Sequence, residues 1–179
     1  MRDCSGCSLC CKVLSVDALD KPACVWCKKI ERSATGRSCG IYPERPQACR
    51  SFSCMWLLDE KMQPELRPDR SHVVFAMDAY VDREYEPDNL WLYVHVDPDW
   101  PDAWRSRLPR LAIQTFLRRG GRVRVQIGGR WIVFGDGVAI AGDEDAPRGR
   151  AIGMYRQADP FEGLPFPTFD IAELTKRLA

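Results

Sequence analysis

All nine cysteines of this 179-residue chain lie within its first 54 residues. Hydrophobic residues make up 45% of the chain and charged residues 28%, which is typical of a folded protein that needs no disulfides to be stable. The sequence has no signal-peptide pattern and no long apolar stretch, so we expect a cytoplasmic protein without membrane association. In a reducing cytosol, a thiol-rich segment indicates metal binding or catalysis rather than disulfides.

The first cysteines follow a spacing that suits metal ligation. Cys4, Cys7 and Cys10 are three residues apart within CSGCSLCC. A two-residue spacer lets both sulfurs face one ion, at about 2.3 Å for zinc. Burial as small apolar residues fits poorly, because no helix or strand pattern surrounds these cysteines. A disulfide framework also fits poorly, because nine is an odd number.

The adjacent pair Cys10 and Cys11 predicts more than one site. In extended backbone, successive side chains point to opposite faces, so neighbouring cysteines serve one tetrahedral ion with difficulty. Eight ligands make two sites of four cysteines, and nine cysteines leave one spare. We therefore predict two all-cysteine metal centres that share this stretch of chain.

The last cysteines lie in the turn-rich stretch CGIYPERPQACRSFSC, residues 39 to 54. Pro43 and Pro46 stiffen the backbone and argue against a regular helix or strand before Cys49. Preformed loops of this kind lose less entropy when they bind a metal.

Basic residues near the cysteines are placed to offset the negative charge of thiolate sites. Of these, we expect Arg45 and Arg50, embedded between cysteines, to contact the thiolates, whereas the lysines are equally consistent with a solvated surface. The basic residues are Lys12, Lys28, Lys29, Arg45 and Arg50.

Three stretches that occur together and in order carry a family resemblance: CSGCSLCC, CGIYPERPQACRSFSC and MWLLDEKMQPELRPDR. Over residues 4 to 70 the chain resembles the bacterial CxxCxxCC cysteine-cluster family, described as zinc- or iron-chelating proteins. The resemblance places a further ligand at Cys24 or Cys27. We favour Cys27, which follows Trp26, and take Cys24 as the spare, although the spacing alone also allows these two cysteines to form a CxxC pair. The other ligands that the resemblance implies are Cys4, Cys7, Cys10, Cys11, Cys39, Cys49 and Cys54.

The identity of the metal is only partly constrained by the residues. Ligation by thiolates alone suits zinc and iron–sulfur clusters and excludes calcium and magnesium. The bacterial ferredoxin run continues from CxxCxxC to a fourth cysteine after three residues, but here that position is Leu14. We favour two zinc ions, with iron or a [4Fe-4S] cluster as the alternative. The cysteine-rich part also resembles that of a flagellin lysine methylase, which implies an iron–sulfur cofactor.

The remainder of the chain predicts a small mixed β-sheet with one main helix, so the fold class is α+β. Residues 73–80 and 90–96 are rich in β-branched and aromatic residues, and RVRVQIGGRWIVFG predicts a hairpin that turns at Gly128 and Gly129. Between them, apolar residues at helical spacing from Trp104 predict a helix that ends at Gly120 and Gly121. Pro109 should start a second helical piece or kink the first. A capping box at Asp170 predicts a short last helix. We expect an irregular cysteine-rich metal-binding module at 1–60, and an α+β portion with a C-terminal extension at 61–179 that packs on it.

Charge is uneven along this second portion. Residues 78–102 hold eight acids and one base, whereas residues 103–135 hold eight arginines and no acid. The arginine-rich segment 105–130 could bind nucleic acid, another anion or a protein. We favour the alternative that the two segments are neighbours in one sheet and pair with each other, because the net charge is only +1.

Candidate catalytic groups are few, and we expect a binding protein rather than an enzyme. The chain has two histidines, His72 and His95, and no phosphate-binding loop. His95 and Asp97 could share one face of a strand and act together, but a lone strand histidine is more often a packed residue. We expect a zinc protein whose metal is mainly structural. The alternatives are an iron–sulfur protein that assists a protein-modification enzyme, and a metal-scaffolded nucleic-acid-binding protein.

Overall fold

Short helices and one hairpin organise the cysteine-bearing segment of the computed structural model, which describes residues 2–4, 6–33, 36–77, 91–135, 138–143 and 151–156. The helices are Cys10–Val13 (α1), Gln47–Ser51 (α2), Met55–Leu58 (α3) and Pro68–Ser71 (α4). Strands Ile30–Ser33 (β1) and Gly36–Cys39 (β2) form an antiparallel hairpin. Single 3₁₀ turns at Asp17–Leu19, Tyr42–Glu44 and Pro64–Leu66 complete the segment.

Over the described residues, the main sheet has six strands in the order β3-β4-β5-β6-β7-β8. They are Val73–Met77 (β3), Trp91–Val96 (β4), Arg122–Ile127 (β5), Arg130–Gly135 (β6), Val138–Asp143 (β7) and Ala151–Arg156 (β8). The helix Arg107–Arg118 (α5) connects β4 to β5, which run parallel, whereas the other neighbouring pairs are antiparallel. The fold is therefore α+β, with a mixed sheet and one main helix, as predicted.

One face of the sheet carries the larger hydrophobic core. In β4 and β5, buried and half-buried side chains alternate, as expected for strands with one closely packed face. Trp104 is fully buried in this core, where its ring lies 6.0 Å from that of Phe134 in β6, and Ile113 of α5 packs beside it. The strands and the turn before β3 contribute further buried residues. These are Leu66, Val73, Phe75, Leu92, Val94, Val96, Val123, Val125, Ile127 and Ile132.

Helix α5 confirms the predicted role of Pro109. A 3₁₀ turn at Ala103–Arg105 is followed by Ser106 in an extended conformation, and α5 then begins at Arg107. Pro109 lies in its first turn, where a missing backbone N–H costs no helical hydrogen bond. The chain leaves the helix through Gly120, whose φ is +80°. Within the described part of the chain, no helix has the length and apolar character needed to cross a membrane.

Near its β3 edge, the opposite face of the sheet contacts the cysteine-bearing segment. Val74 of β3 is fully buried in a second, smaller core with Leu9, Val13 and Cys54. Side chains of β3 are therefore buried on both faces, which agrees with the burial of four consecutive residues in this strand. The predicted boundary at residue 60 stays a prediction, but this contact joins residues from both sides of it.

The predicted strands and the hairpin turn at Gly128 and Gly129 are confirmed over the residues that the structure describes. Residues 78–80, residue 90 and the helix predicted at Asp170 lie outside those residues. Strands β7 and β8, the β1–β2 hairpin and the short helices α1 to α4 were not predicted. Helix α2 begins at Gln47, directly after Pro46, so the expectation of no regular helix before Cys49 is wrong. Gly142 of β7 lies against Trp131 of β6, whose indole takes the space that a side chain at position 142 would need.

Candidate metal centre

Eight of the nine cysteines line a single cavity of about 620 Å³. They come from the N-terminal loop, α1, the segment before β1, the end of β2, α2 and the start of α3. These are the eight cysteines that the sequence predicts as ligands, and Cys24, the predicted spare, is not among the described residues of the lining. The eight are Cys4, Cys7, Cys10, Cys11, Cys27, Cys39, Cys49 and Cys54.

Backbone contacts bring the first cysteine run and the hairpin together. Gly6 has a φ of +68° in the tight turn in which the Cys7 amide donates to the Cys4 carbonyl at 3.0 Å. Gly36, in the hairpin, lies so close to this turn that a Cβ there would stand 2.8 Å from the carbonyl oxygen of Gly6. A side chain at position 36 would therefore push the hairpin away from the cavity.

Further backbone bonds attach Cys27 and Cys39 to the same place. The Cys27 amide donates to the Cys11 carbonyl at 3.0 Å, which joins this cysteine to α1. In the hairpin, Cys39 pairs with Ile30, and the Ile30 amide donates to the Cys27 carbonyl at 3.1 Å. These main-chain bonds position the cysteines before any metal is considered.

Cys10 and Cys11 begin helix α1, so the extended backbone assumed for this pair in the sequence analysis is wrong. Their two side chains share a hydrogen bond, which raises the pKa of Cys10 and lowers that of Cys11 to about 7. No helical periodicity is visible here, because the helix is one turn long and is followed at once by the extended residue Leu14.

Burial keeps most of the other thiols neutral in this arrangement. It raises the pKa of Cys7 to about 11, and it is also the main cause of the raised pKa values of Cys4, Cys49 and Cys54. A buried thiolate needs a compensating cation, since burial in apolar surroundings disfavours the charged form. A bound metal ion would supply that charge.

Arg45 supplies one positive charge beside the thiols, as the sequence predicts. Its guanidinium lies 3.7 Å from the centre of the Tyr42 ring. After the hydrogen bond from Cys10, its charge also lowers the pKa of Cys11. Burial raises the pKa values of Cys4 and Cys49, and the charge of Arg45 offsets only part of that effect. Arg50 does not share this role, because it is exposed and outside the described lining. Lys28 and Lys29 are exposed as well, although Lys29 lines the cavity.

Lys21 supplies a second positive charge that the sequence analysis missed. The residue is buried, lines the cavity and lies near the thiols of Cys10, Cys11, Cys24 and Cys27. No motif could have identified it, since a lysine followed by a proline in a polar loop is usually exposed. By contrast, the predicted counter-charge Lys12 points its ammonium group to aspartates of the sheet portion.

Two buried N–H groups beside the thiols lack an acceptor among the described residues. They are Nε of Arg45 and Nε1 of Trp56, and both side chains line the cavity. Arg2 covers the Trp56 ring at 4.5 Å and donates hydrogen bonds to the carbonyl oxygens of four residues after Cys54. Buried donors of this kind are normally satisfied, and sulfur can accept their hydrogen bonds.

The pairing of His95 with Asp97, which the sequence analysis disfavoured, is not formed. Asp97 lies beyond the end of β4, 2.5 Å from Nζ of Lys12 and 3.6 Å from Nδ1 of His72. His95 stacks on Tyr93, and burial, aided by Arg124, lowers its pKa to about 4. His95 is therefore a packed neutral histidine, which is the interpretation that the sequence analysis favoured.

The arginine-rich segment forms part of α5, β5 and β6. Arg122 and Arg124 lie over the rings of Trp91 and Trp131, at 5.9 and 5.2 Å. Most acids of the segment 78–102 precede residue 91 and lie outside the described residues. A partner at residues 105–130 therefore stays a prediction.

The thiols share the cavity but are not gathered into a finished ligand set. Among the residues that the structure describes, no three Cys, His, Asp or Glu side chains are grouped so that they could hold a metal ion. The donor chemistry nevertheless fits a soft metal, because the side chains that converge here are thiols with nearby cations and buried N–H donors. Comparisons with protein-family models, with curated proteins and with solved structures find no match to this chain.

Proposed function

We propose that this chain is a cytoplasmic metal-binding protein that holds zinc through the thiolates of the cavity cysteines. One observation supports the proposal above all: eight cysteines from separate loops, helices and a strand line the same cavity, whereas Cys24 is outside the described lining. Reduced thiols in this number require a reducing compartment, which is why we place the protein in the cytoplasm. The resemblance of residues 4 to 70 to the cysteine-cluster family is part of this proposal.

Zinc binding would require the sulfurs to come closer together. Tetrahedral coordination at about 2.3 Å sets sulfur atoms roughly 3.8 Å apart. The cavity of about 620 Å³ is larger than such sites need, so closure of the loops around the metal is part of the proposal. Rotation of cysteine side chains and small shifts of one-turn helices are inexpensive compared with rearrangement of a sheet.

A structural role follows from the small apolar core of this segment. The core around Val74 contains four buried residues, of which Leu9, Val13 and Cys54 belong to the cysteine-bearing part. So little apolar burial cannot hold some 50 residues in short turns, and the free energy of metal binding would become folding free energy.

Two zinc ions remain our expected content. Eight thiolates supply two sites of four, with Cys10 and Cys11 assigned to different sites as the sequence analysis predicts. An iron–sulfur cluster is the alternative, and it would connect the chain to a protein-modification reaction. The unpartnered N–H groups of Arg45 and Trp56 suit either kind of centre, because thiolate and sulfide both accept hydrogen bonds.

Elemental analysis of untagged protein purified without oxygen tests the proposal. Zinc, iron and acid-labile sulfide are counted per chain in the wild type and in Cys24→Ser, which removes the one cysteine outside the described lining. About two zinc ions in both proteins, without sulfide, would support the proposed function. Iron with sulfide would favour the cluster instead, and a protein with neither metal after reconstitution would refute both.

A further inference from the structure

The Lys21 ammonium group is buried beside the cysteine cavity. Only 6% of the residue is exposed, and it lines the cavity. Nζ donates hydrogen bonds to the carbonyl oxygens of Lys12 at 3.0 Å, of Pro22 at 2.9 Å and of Leu14. Backbone hydrogen bonds in both directions between Lys21 and Val16 hold the loop that carries it. The positive charge is therefore fixed next to the end of α1.

Lys21 has no carboxylate partner among the residues that the structure describes, which is unusual for a buried ammonium group. Within the described ranges of the chain, no Asp or Glu lies at ion-pair distance from its Nζ, although Lys12 nearby has two such partners. Carbonyl oxygens satisfy the N–H groups but carry no net charge, so the burial of this cation is uncompensated. Burial accordingly lowers the pKa of Lys21.

The ionisable groups next to Lys21 are thiols. Those of Cys27, Cys11, Cys24 and Cys10 are its electrostatic neighbours, and three of the four line the cavity. An anionic centre made from these cysteines would supply the missing negative charge.

We propose that Lys21 is the fixed counter-ion of the cysteine centre, a positioning residue whose charge stabilises the anionic thiolate–metal complex without ligating the metal. The inference rests on the proposed metal-binding function. It adds a residue that lies outside every cysteine motif, and it explains why a lysine is buried in this loop.

The sign of the effect follows from the charge of the centre. One zinc ion with four thiolates carries a net formal charge of about −2. Because binding replaces thiol protons by one divalent ion, the loaded centre is more negative than the metal-free thiols. A fixed positive charge therefore favours the loaded state. Arg45 acts on Cys4, Cys11 and Cys49, so the two cations serve different sets of thiols that have Cys11 in common.

A purely structural role for Lys21 makes a different prediction. Its hydrogen bonds satisfy carbonyl oxygens at the end of α1, which any neutral donor of suitable reach could also do. Lys21→Gln keeps a donor but removes the charge, Lys21→Arg keeps the charge, and Lys21→Met removes both. Lys28→Met is the control, because Lys28 is exposed and lies outside the described lining of the cavity.

The experiment measures zinc affinity by competition with a chromophoric chelator for the wild type and the four variants, each as the full chain. Urea unfolding of each protein, followed by circular dichroism, shows whether the fold persists. We expect Lys21→Met and Lys21→Gln to bind zinc about 10- to 100-fold more weakly, whereas Lys21→Arg and Lys28→Met stay close to the wild type. If Lys21→Met does not fold, the comparison of Gln with Arg carries the test.

Two results would overturn the inference while the proposed function stands. One is wild-type zinc affinity in Lys21→Gln, which would make Lys21 a hydrogen-bond donor only. The other is an affinity in Lys21→Arg as weak as that of Lys21→Met in proteins that are equally folded. A wild type that binds no zinc would refute the proposed zinc centre itself, and the counter-ion role of Lys21 in it would fall as well.

Discussion

Nζ of Lys12 lies 2.5 Å from Oδ1 of Asp97, and both side chains are buried. Lys12 belongs to α1, one residue after Cys11, and Asp97 directly follows β4 of the main sheet. A second bond from Nζ, 2.6 Å long, reaches Asp99, whose side chain is 72% exposed. Burial lowers the pKa of Lys12, but the bonds to both aspartates outweigh that effect and raise it. This pair connects the cysteine helix to the sheet.

Loss of either buried member of this pair should destabilise the protein. We expect Lys12→Met and Asp97→Asn each to lower the free energy of unfolding by about 3 kcal/mol, because each removes one charge of a buried pair. The charge that is left keeps only a weaker partner, which is His72 at 3.6 Å for Asp97 and the exposed Asp99 for Lys12. Asp99→Asn is the matched control and should cost less than about 1 kcal/mol, because that carboxylate is largely in water. Urea unfolding measures all three. Equal effects of Asp97→Asn and Asp99→Asn would contradict a special role for the buried bond.

The main sheet could be predicted because its strands are long and apolar enough to show a period. Residues of β4 and β5 alternate between buried and half-buried positions, and Gly128 has the positive φ of +63° that its place in a hairpin turn suggests. Strand β7 escaped prediction because its apolar run is only four residues long and ends at Gly142, and its pairing with β6 is set by tertiary structure.

The cysteine cavity could be predicted in its membership but not in its surroundings. Spacing and the resemblance singled out the eight lining cysteines, because thiols so rarely cluster for other reasons. The helix at Cys10 is too short for a periodic signal. Lys12 is paired with Asp97, which is distant in sequence, and Lys21 donates to main-chain carbonyl oxygens, which no side-chain pattern reveals. Such contacts depend on how the loops close.

Cys10→Ser and Cys11→Ser should each lose about one metal ion or cluster and destabilise the N-terminal part. A serine hydroxyl does not replace a thiolate ligand for a soft metal. Cys24→Ser should keep the full metal content, because Cys24 is outside the described lining. Metal content and urea unfolding are measured together. Full metal content and stability in both Cys10→Ser and Cys11→Ser would contradict the two-site prediction.

Removal of metal should loosen the cysteine-bearing segment and leave the main sheet folded. The larger core is made of residues from Leu66 onwards and contains no cysteine, whereas the smaller core includes Cys54. Hydrogen exchange followed by mass spectrometry, with and without a strong chelator, should show lost protection for amides of α1, α2 and the β1–β2 hairpin. Amides of β4 and β5 should stay protected. Unchanged exchange in the cysteine segment would argue against a structural metal.

Acid should destabilise the protein through His95. The neutral imidazole is favoured in the folded state, where burial and then Arg124 lower the pKa from its ordinary value of 6.5 to about 4. As pH falls below 6.5 the unfolded chain takes up the proton first, so the free energy of unfolding decreases until the pH reaches about 4. Between pH 7.5 and 4.5 the wild type should therefore lose about 2 kcal/mol more than His95→Gln.

Comparison with His95→Gln isolates this effect, because acids and thiols that titrate in the same range are common to both proteins. His72 is the other histidine of the chain. In His72→Gln a single imidazole remains, and its proton uptake can be followed directly by NMR. A midpoint near 4 would agree with a buried, neutral His95 packed on Tyr93. A midpoint near 6.5 would mean that water reaches the ring, and the difference in pH dependence between wild type and His95→Gln should then vanish.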